Sequence, residues 1–397
     1  MSLTCPAQHG KQSTRGNEPL KCQATATAQL HPLRTSLMAL CLPLISVVAA
    51  FAGGPVEPRP FKVLPPIVRG NLALFPVVAD HSYDASQLMT LDEGIRSGQV
   101  TVTEAGDDRG LVRPGQALPP RRGGAEVNRL VLTNNSDRPL LLLAGEIVTG
   151  GKQDRVIGAD RIVPADSGPI DLGVFCVEPG RWVASSSSFG SMGTQMVQPS
   201  VRTPAMAERN QSSVWANVGA SNAKMAQRLP APEAAAVAGT TSYAKVFASP
   251  AVAKIVAQYG GAETEQSILR ELRSHGATGV VVAVDGRVVW ADVFASTDLL
   301  ARYWPKLLHS YVAEAMTSGN SGSAPNLRDA ELYMSNLSGG REVVETEAGV
   351  FRRSDVTGDG FRLFELTSLL PKEGFVVHIT KMRQDVVARQ THAPINR

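Results

Sequence analysis

The chain has 397 residues, 43% hydrophobic and 19% charged, with 39 Lys and Arg against 36 Asp and Glu. That is a globular composition, outside the disordered, collagen-like and coiled-coil classes. In the first 52 residues Lys11, Arg15, Lys21 and Arg34 face Glu18 alone; removing these four bases and one acid from the totals leaves 35 of each. A neutral body with no basic run argues against nucleic-acid binding by bulk electrostatics, and against polybasic attachment to a membrane surface.

Residues 36–51 (SLMALCLPLISVVAAF) form the one strongly apolar run. Arg34 precedes it, and Ala50-Phe51-Ala52 closes it with an A-x-A pattern before Gly53. These are the parts of a cleaved secretory signal. A membrane anchor needs ~20 apolar residues, and this run is shorter and interrupted by Pro43. Residues 1–52 therefore read as a signal peptide, its polar first part consistent with an over-called start. The expected location is periplasmic or secreted, with no membrane span after cleavage. Cys5, Cys22 and Cys41 fall in that segment, so Cys176 stands alone in the mature chain and no internal disulfide can form.

Residues 53–70 read as a Pro-rich leader. Short apolar runs at 72–78, 99–104, 128–133, 140–143, 146–148, 161–163 and 170–177 alternate with turn residues. They predict a β-rich antiparallel unit over 71–184, with one inserted helix at 86–96. Residues 185–193 (SSSSFGSMG) read as a loop or lid. Thr203-Pro204 is the expected N-cap and first turn of a helix through Trp215 and Val218, and 229–239 reads as a connector. That assigns 185–240 to a loop-and-helix link.

An α+β unit over 241–383 follows, then a tail at 384–397. A helix at 263–273 ends before Gly276. Two apolar strands, 278–284 and 287–294, are joined by Asp285-Gly286, a strong hairpin signal. Asp298 is the expected cap of a long amphipathic helix, with Leu300, Trp304, Leu307, Leu308, Tyr311, Val312 and Ala315 on one face. Pro305 either kinks it or marks its first turn. Antiparallel strands are expected at 342–347, 350–353, 361–366 and 375–380. The fold class is α+β, β-rich in the first half and mixed in the second.

Charge is densest over 143–182. Glu146, Lys152, Asp154, Arg155, Asp160, Arg161, Glu178 and Arg181 are interleaved with strand-like residues and with Gly145, Gly150 and Gly151. These glycines admit either a sharp turn or close approach of a ligand. Gly145-Glu146, the run from Gly151 to Arg155, Cys176-Val177-Glu178 and Gly180-Arg181-Trp182 resemble the ADP-ribosylglycohydrolase and rhodanese-phosphatase superfamily-associated protein domain family. So do the run from Gln211 to Trp215 and the hairpin and helix from Gly279 to about Ala315. The resemblance spans 73–381, with Asp154 where that family more often has Asn. It implies a shared α+β fold and genomic company with ADP-ribose and phosphoester hydrolases, without an established activity.

Gly150-Gly151-Lys152 lacks the spacing and the Ser or Thr of a P-loop, which leaves an anion nest or a structural turn. Glu146 with Asp154 or Glu178 could do acid–base work, or could pair with Arg155 and Arg181. Cys176, between Phe175 and Val177, reads as a small buried apolar residue with no patterned His. No metal motif is present, and 355–360 (DVTGDG) reads as a hairpin turn, since Leu366 stands where a calcium loop needs Glu. Trp290 and Trp304 sit at core periodicity, leaving Trp182 and Trp215 as ligand candidates.

The expected site gathers Glu146, Lys152, Gln153, Arg155, Glu178, Arg181 and Trp182 on one concave surface, with Gln211 and Trp215 at its edge. Two functions are open. One is binding of a small anionic, nucleotide- or ADP-ribose-like ligand, or scaffolding of a partner enzyme. The other is hydrolysis of such a compound with Glu146 and Glu178 as acid and base. No cofactor is expected.

Overall fold

The structure is a computed structural model that describes residues 60–105, 128–183, 185–319, 326–370 and 374–384. The expected signal peptide, and residues 385–397 of the tail, lie outside the described residues. The fold is α+β.

A nine-stranded antiparallel sheet is its spine. Its order runs Phe61–Val63, Leu72–Ala79, Gly279–Val284, Arg287–Phe294, Phe375–Arg383, Phe361–Ser368, Phe351–Gly358 and Arg341–Glu347, with Ile67–Arg69 paired to Leu72–Ala79. Strand Leu72–Ala79 thus joins the late strands, and sheet membership crosses the halves read from the sequence. The hairpin at Asp285-Gly286 forms, with φ of 52° and 75°, the left-handed pair that a type I′ turn needs. Both Trp290 and Trp304 are buried in the core.

The long helix Thr297–Thr317 packs against this sheet and against strand Phe189–Met196. Its cap is Ser296, whose side chain accepts the Leu299 N–H, and Asp298 sits in the first turn instead. Pro305 lies inside the helix. An interior proline costs ~3 kcal/mol, and the flanking buried Tyr303, Trp304, Leu307 and Leu308 outweigh it.

A six-stranded sheet runs Phe189–Met196, Glu146–Gly150, Arg155–Ile157, Ser167–Cys176, Arg129–Asn134 and Val100–Glu104. A small sheet of Arg161–Val163, Leu140–Leu142 and Met89–Thr90 completes this part. Leu130, Leu132, Leu140, Leu142, Val148, Ile157 and Val174 fill the space between.

Several expectations are corrected. The 185–193 loop is half strand, because Phe189 is buried and pairs with Gly150 despite small polar neighbours. Thr203 caps nothing: helix Pro199–Thr203 enters a π-helical turn, Pro204–Glu208, which Arg209 ends at φ 49°. Asn210 then accepts the Ser213 N–H and starts helix Gln211–Ala226. The 229–239 connector holds a helix, Ala231–Ala238. The 86–96 helix shortens to Leu91–Arg96, started by a Thr90–Glu93 capping box. In 355–360 only Asp359 and Gly360 lie between the strands.

Candidate functional site

The chain turns sharply between strands Glu146–Gly150 and Arg155–Ile157. Gly150 (φ 129°) and Gly151 (φ 47°) make the turn, and a side chain on Gly151 would strike Glu104 and the Phe189 ring. Residues 179–183 and 185–188 lie over it. The Ser185 N–H donates to Gly151 O at 2.8 Å, and Ser186 Oγ accepts the Gly151 N–H at 3.1 Å.

Arg181 ties the two together. Its Nε donates to Glu178 Oε2 at 2.7 Å, one terminal nitrogen reaches Asp154 Oδ1 at 3.3 Å, and the other donates to Gly151 O at 3.0 Å. Asp154 also accepts from Gly150 N–H and Ser242 Oγ, and its own N–H donates to Glu178 Oε2 at 3.3 Å. Lys245 stands 3.6 Å from Glu178 Oε1. Burial, and then the charge of Glu178, push the Asp154 carboxyl above its ordinary range.

Below lies Arg155, fully buried, donating to Gln153 O at 2.8 Å and 3.9 Å from Glu104. Burial lowers its affinity for the proton. The Gln153 amide donates to Glu178 O at 3.1 Å, while Gln153 Oε1 and Glu104 Oε2 are buried without hydrogen-bond partners among the described residues. The Lys152 N–H donates to Glu104 Oε1 at 2.7 Å. Outermost is Trp182, 43% exposed, with the Lys152 ammonium 5.2 Å and the Arg155 guanidinium 5.9 Å from its ring centre.

The structure therefore brings Lys152, Gln153, Arg155, Glu178, Arg181 and Trp182 together. Glu146 stands outside this group. It is fully buried, ion-paired to Lys306 and accepting the Leu143 N–H at 2.8 Å, with Asp92 2.6 Å from the same ammonium. Burial opposes the Lys306 charge, but Glu146 and Asp92 outweigh it; burial pushes Glu146 itself upward. A carboxylate locked between strand and helix cannot work as acid or base with Glu178, so that pairing is withdrawn. Gln211 is also architectural: its amide brackets Cys176, donating to its carbonyl at 2.9 Å and accepting its N–H at 2.8 Å. Trp215 lies beside the Cys176 thiol without a well-formed hydrogen bond, and burial pushes that thiol upward.

Glu104, Ser242 and Lys245 escaped the sequence reading. Glu104 had a signal, since it shares parity with Val100 and Val102 on the strand and so faces inward. A second buried network also went unseen. Asp292 takes Arg202 at 3.0 Å, Trp290 Nε1 at 2.9 Å, Tyr311 Oη at 2.5 Å and Thr380 Oγ1 at 2.8 Å. His378 bridges Asp160, at 2.6 Å from Nδ1, and Asp292, at 3.3 Å from Nε2. Every one of these side chains is buried, which makes this network a core lock.

The pattern of the ARG and Rhodanese-Phosphatase-superfamily-associated Protein domain matches residues 60–382. The chain belongs to this family. No curated protein and no solved structure matches it. Among the described residues no group of His, Cys, Asp or Glu could hold a metal ion, and no helix is long and apolar enough to cross a membrane.

Proposed function

We propose that this family member is an exported binding protein for a small anionic ligand with a flat ring, received at the Lys152–Trp182 face. One observation carries the reading: Trp182 is exposed beside a lysine that pairs with no carboxylate among the described residues. Beneath them the other charges are largely committed to one another, Arg181 to Asp154 and Glu178, and Arg155 to Glu104. The indole can stack on the ring and the ammonium can take the anion by a charge-assisted hydrogen bond. A nucleotide or ADP-ribose has both parts, and the family's name, which links it to ADP-ribose and phosphoester chemistry, supports that choice. A scaffold role beside a partner enzyme would use the same exposed face. The export half of the reading rests on the apolar run at 36–51 and its A-x-A end.

A second reading, hydrolysis of the same ligand, is favoured by Asp154. Burial, and then the charge of Glu178, push its carboxyl upward, and a carboxyl that keeps its proton can act as a general acid. Calorimetry with ADP-ribose and AMP against wild type, Lys152→Ala and Trp182→Ala tests the binding. Loss of one charge-assisted bond or one stacking face should weaken it about tenfold or more, without lowering the melting temperature. Absence of binding to wild type, or equal binding by both variants, would refute the site. Release of product by wild type but not Asp154→Asn would move the conclusion to the enzyme.

A further inference from the structure

A cavity of about 550 Å³ opens between helix Gln211–Ala226, the last turns of Thr297–Thr317 and the Asp285-Gly286 hairpin. Its size suits a small molecule. The inner wall is polar and buried: Glu314, Gln198, Ser200, Ser221 and Thr317. Their donors are already spent within the protein. Ser200 N–H donates to Glu314 Oε2 at 2.9 Å, and Gln198 Nε2 lies 3.2 Å from the same oxygen and 2.7 Å from Thr317 Oγ1. The Ser221 hydroxyl donates to Gln198 Oε1 at 2.7 Å, and that of Thr317 to Ala313 O at 2.9 Å. What this wall has left for an occupant is oxygen lone pairs, so it asks for a ligand rich in donors.

The mouth has the opposite character. Lys224 and Arg287 are exposed there, and Arg383 lines it while donating to Val288 O at 3.1 Å. Asp285 also lines it, and its Oδ1 accepts from the Asn71 amide at 3.0 Å. The side wall is aliphatic, Val284, Val288 and Val289, and no aromatic ring lines the cavity. A bare anion would meet the Glu314 carboxyl at the inner end, and a simple cation would meet the Lys224 ammonium at the mouth. A nucleotide base would find nothing to stack on. A ligand with neutral hydroxyls at one end and a dianion at the other satisfies both ends. We propose that this cavity binds a phosphorylated sugar, its hydroxyls donating to Glu314 and Ser221 and its phosphate held at the mouth by Lys224.

Titration calorimetry of the full chain with ribose 5-phosphate tests this, with ribose and inorganic phosphate as separate probes. Wild type should bind ribose 5-phosphate one to one, and each half-ligand far more weakly. Lys224→Ala removes an exposed side chain and should fold as wild type does, yet weaken binding about tenfold or more. Glu314→Gln, which keeps size and one acceptor, should weaken it comparably. Lys254→Ala, another exposed lysine, controls for loss of one charge and should bind as wild type. The proposal is overturned if wild type does not bind ribose 5-phosphate, or if inorganic phosphate binds as tightly. It is equally overturned if Lys224→Ala retains wild-type affinity, whatever the folding of Glu314→Gln.

Discussion

Raising the pH from 6.5 to 8 should destabilise the folded protein through His378. This imidazole is fully buried between Asp160 and Asp292. Burial alone would lower its proton affinity, but the two carboxylates outweigh it and raise its pKa from 6.5 to about 9. The folded state then keeps a proton that the unfolded chain releases. The resulting stability is complete below pH 6.5 and is lost as the pH climbs through about 9. At about 1.4 kcal/mol per pH unit the whole shift corresponds to roughly 3 kcal/mol, of which about 2 kcal/mol falls between pH 6.5 and 8. The window stops there because Lys381 acts in the opposite sense. Burial lowers its pKa to about 8, so above that pH the unfolded chain holds the extra proton and stability returns. The carboxyls of Glu146 and Glu314, pushed up by burial, act in the same sense as His378 above the ordinary carboxylate range, and comparison with a variant that keeps both cancels them. The diagnostic is therefore a difference, from urea unfolding of wild type and His378→Gln at pH 6.5, 7.2 and 8. Wild type should lose about 2 kcal/mol more than the variant across the window. Equal slopes would refute the reasoning, as would an imidazole C–H resonance that titrates near pH 6.5 in the folded protein.

Three further outcomes are expected. Lys306→Met leaves the buried Glu146 carboxylate without its cation and should cost about 3–5 kcal/mol in urea unfolding; a loss below about 1 kcal/mol would show that the ion cluster is dispensable. Gly145→Ala places a Cβ 2.8 Å from the Arg202 side chain at φ 97°, and should lower stability by about 2 kcal/mol or more, read as a drop in melting temperature. Mass spectrometry of protein recovered from extracytoplasmic fractions should find Gly53 as the first residue, and an intact chain confined to the cytoplasm would contradict export.

What was legible in the sequence was whatever local chemistry decides. Asp285-Gly286 can make a two-residue turn by itself, and the apolar stripe from Leu300 to Ala315 needs only a helix to align it. Strand Phe189–Met196 was hidden because its pairing partner, not its serines and glycines, makes it a strand. The ion pairs were hidden for a related reason. Glu146 looked like a neighbour of Glu178 because both sit in one charged stretch, yet its partner is Lys306, 160 residues along the chain. Spacing within a strand series says which face a residue takes, as the parity of Val100, Val102 and Glu104 shows, but not which distant element covers that face. The charge density over 143–182 accordingly answers two separate demands. Glu146 fastens the six-stranded sheet to the long helix, while Asp154, Glu178 and Arg181 fasten residues 179–183 over the glycine turn. Ion pairing and ligand binding, posed as alternatives by the sequence, then need not compete. Pairs that neutralise one another below hold Trp182 and Lys152 at the surface, and those two are what the architecture leaves over for a ligand.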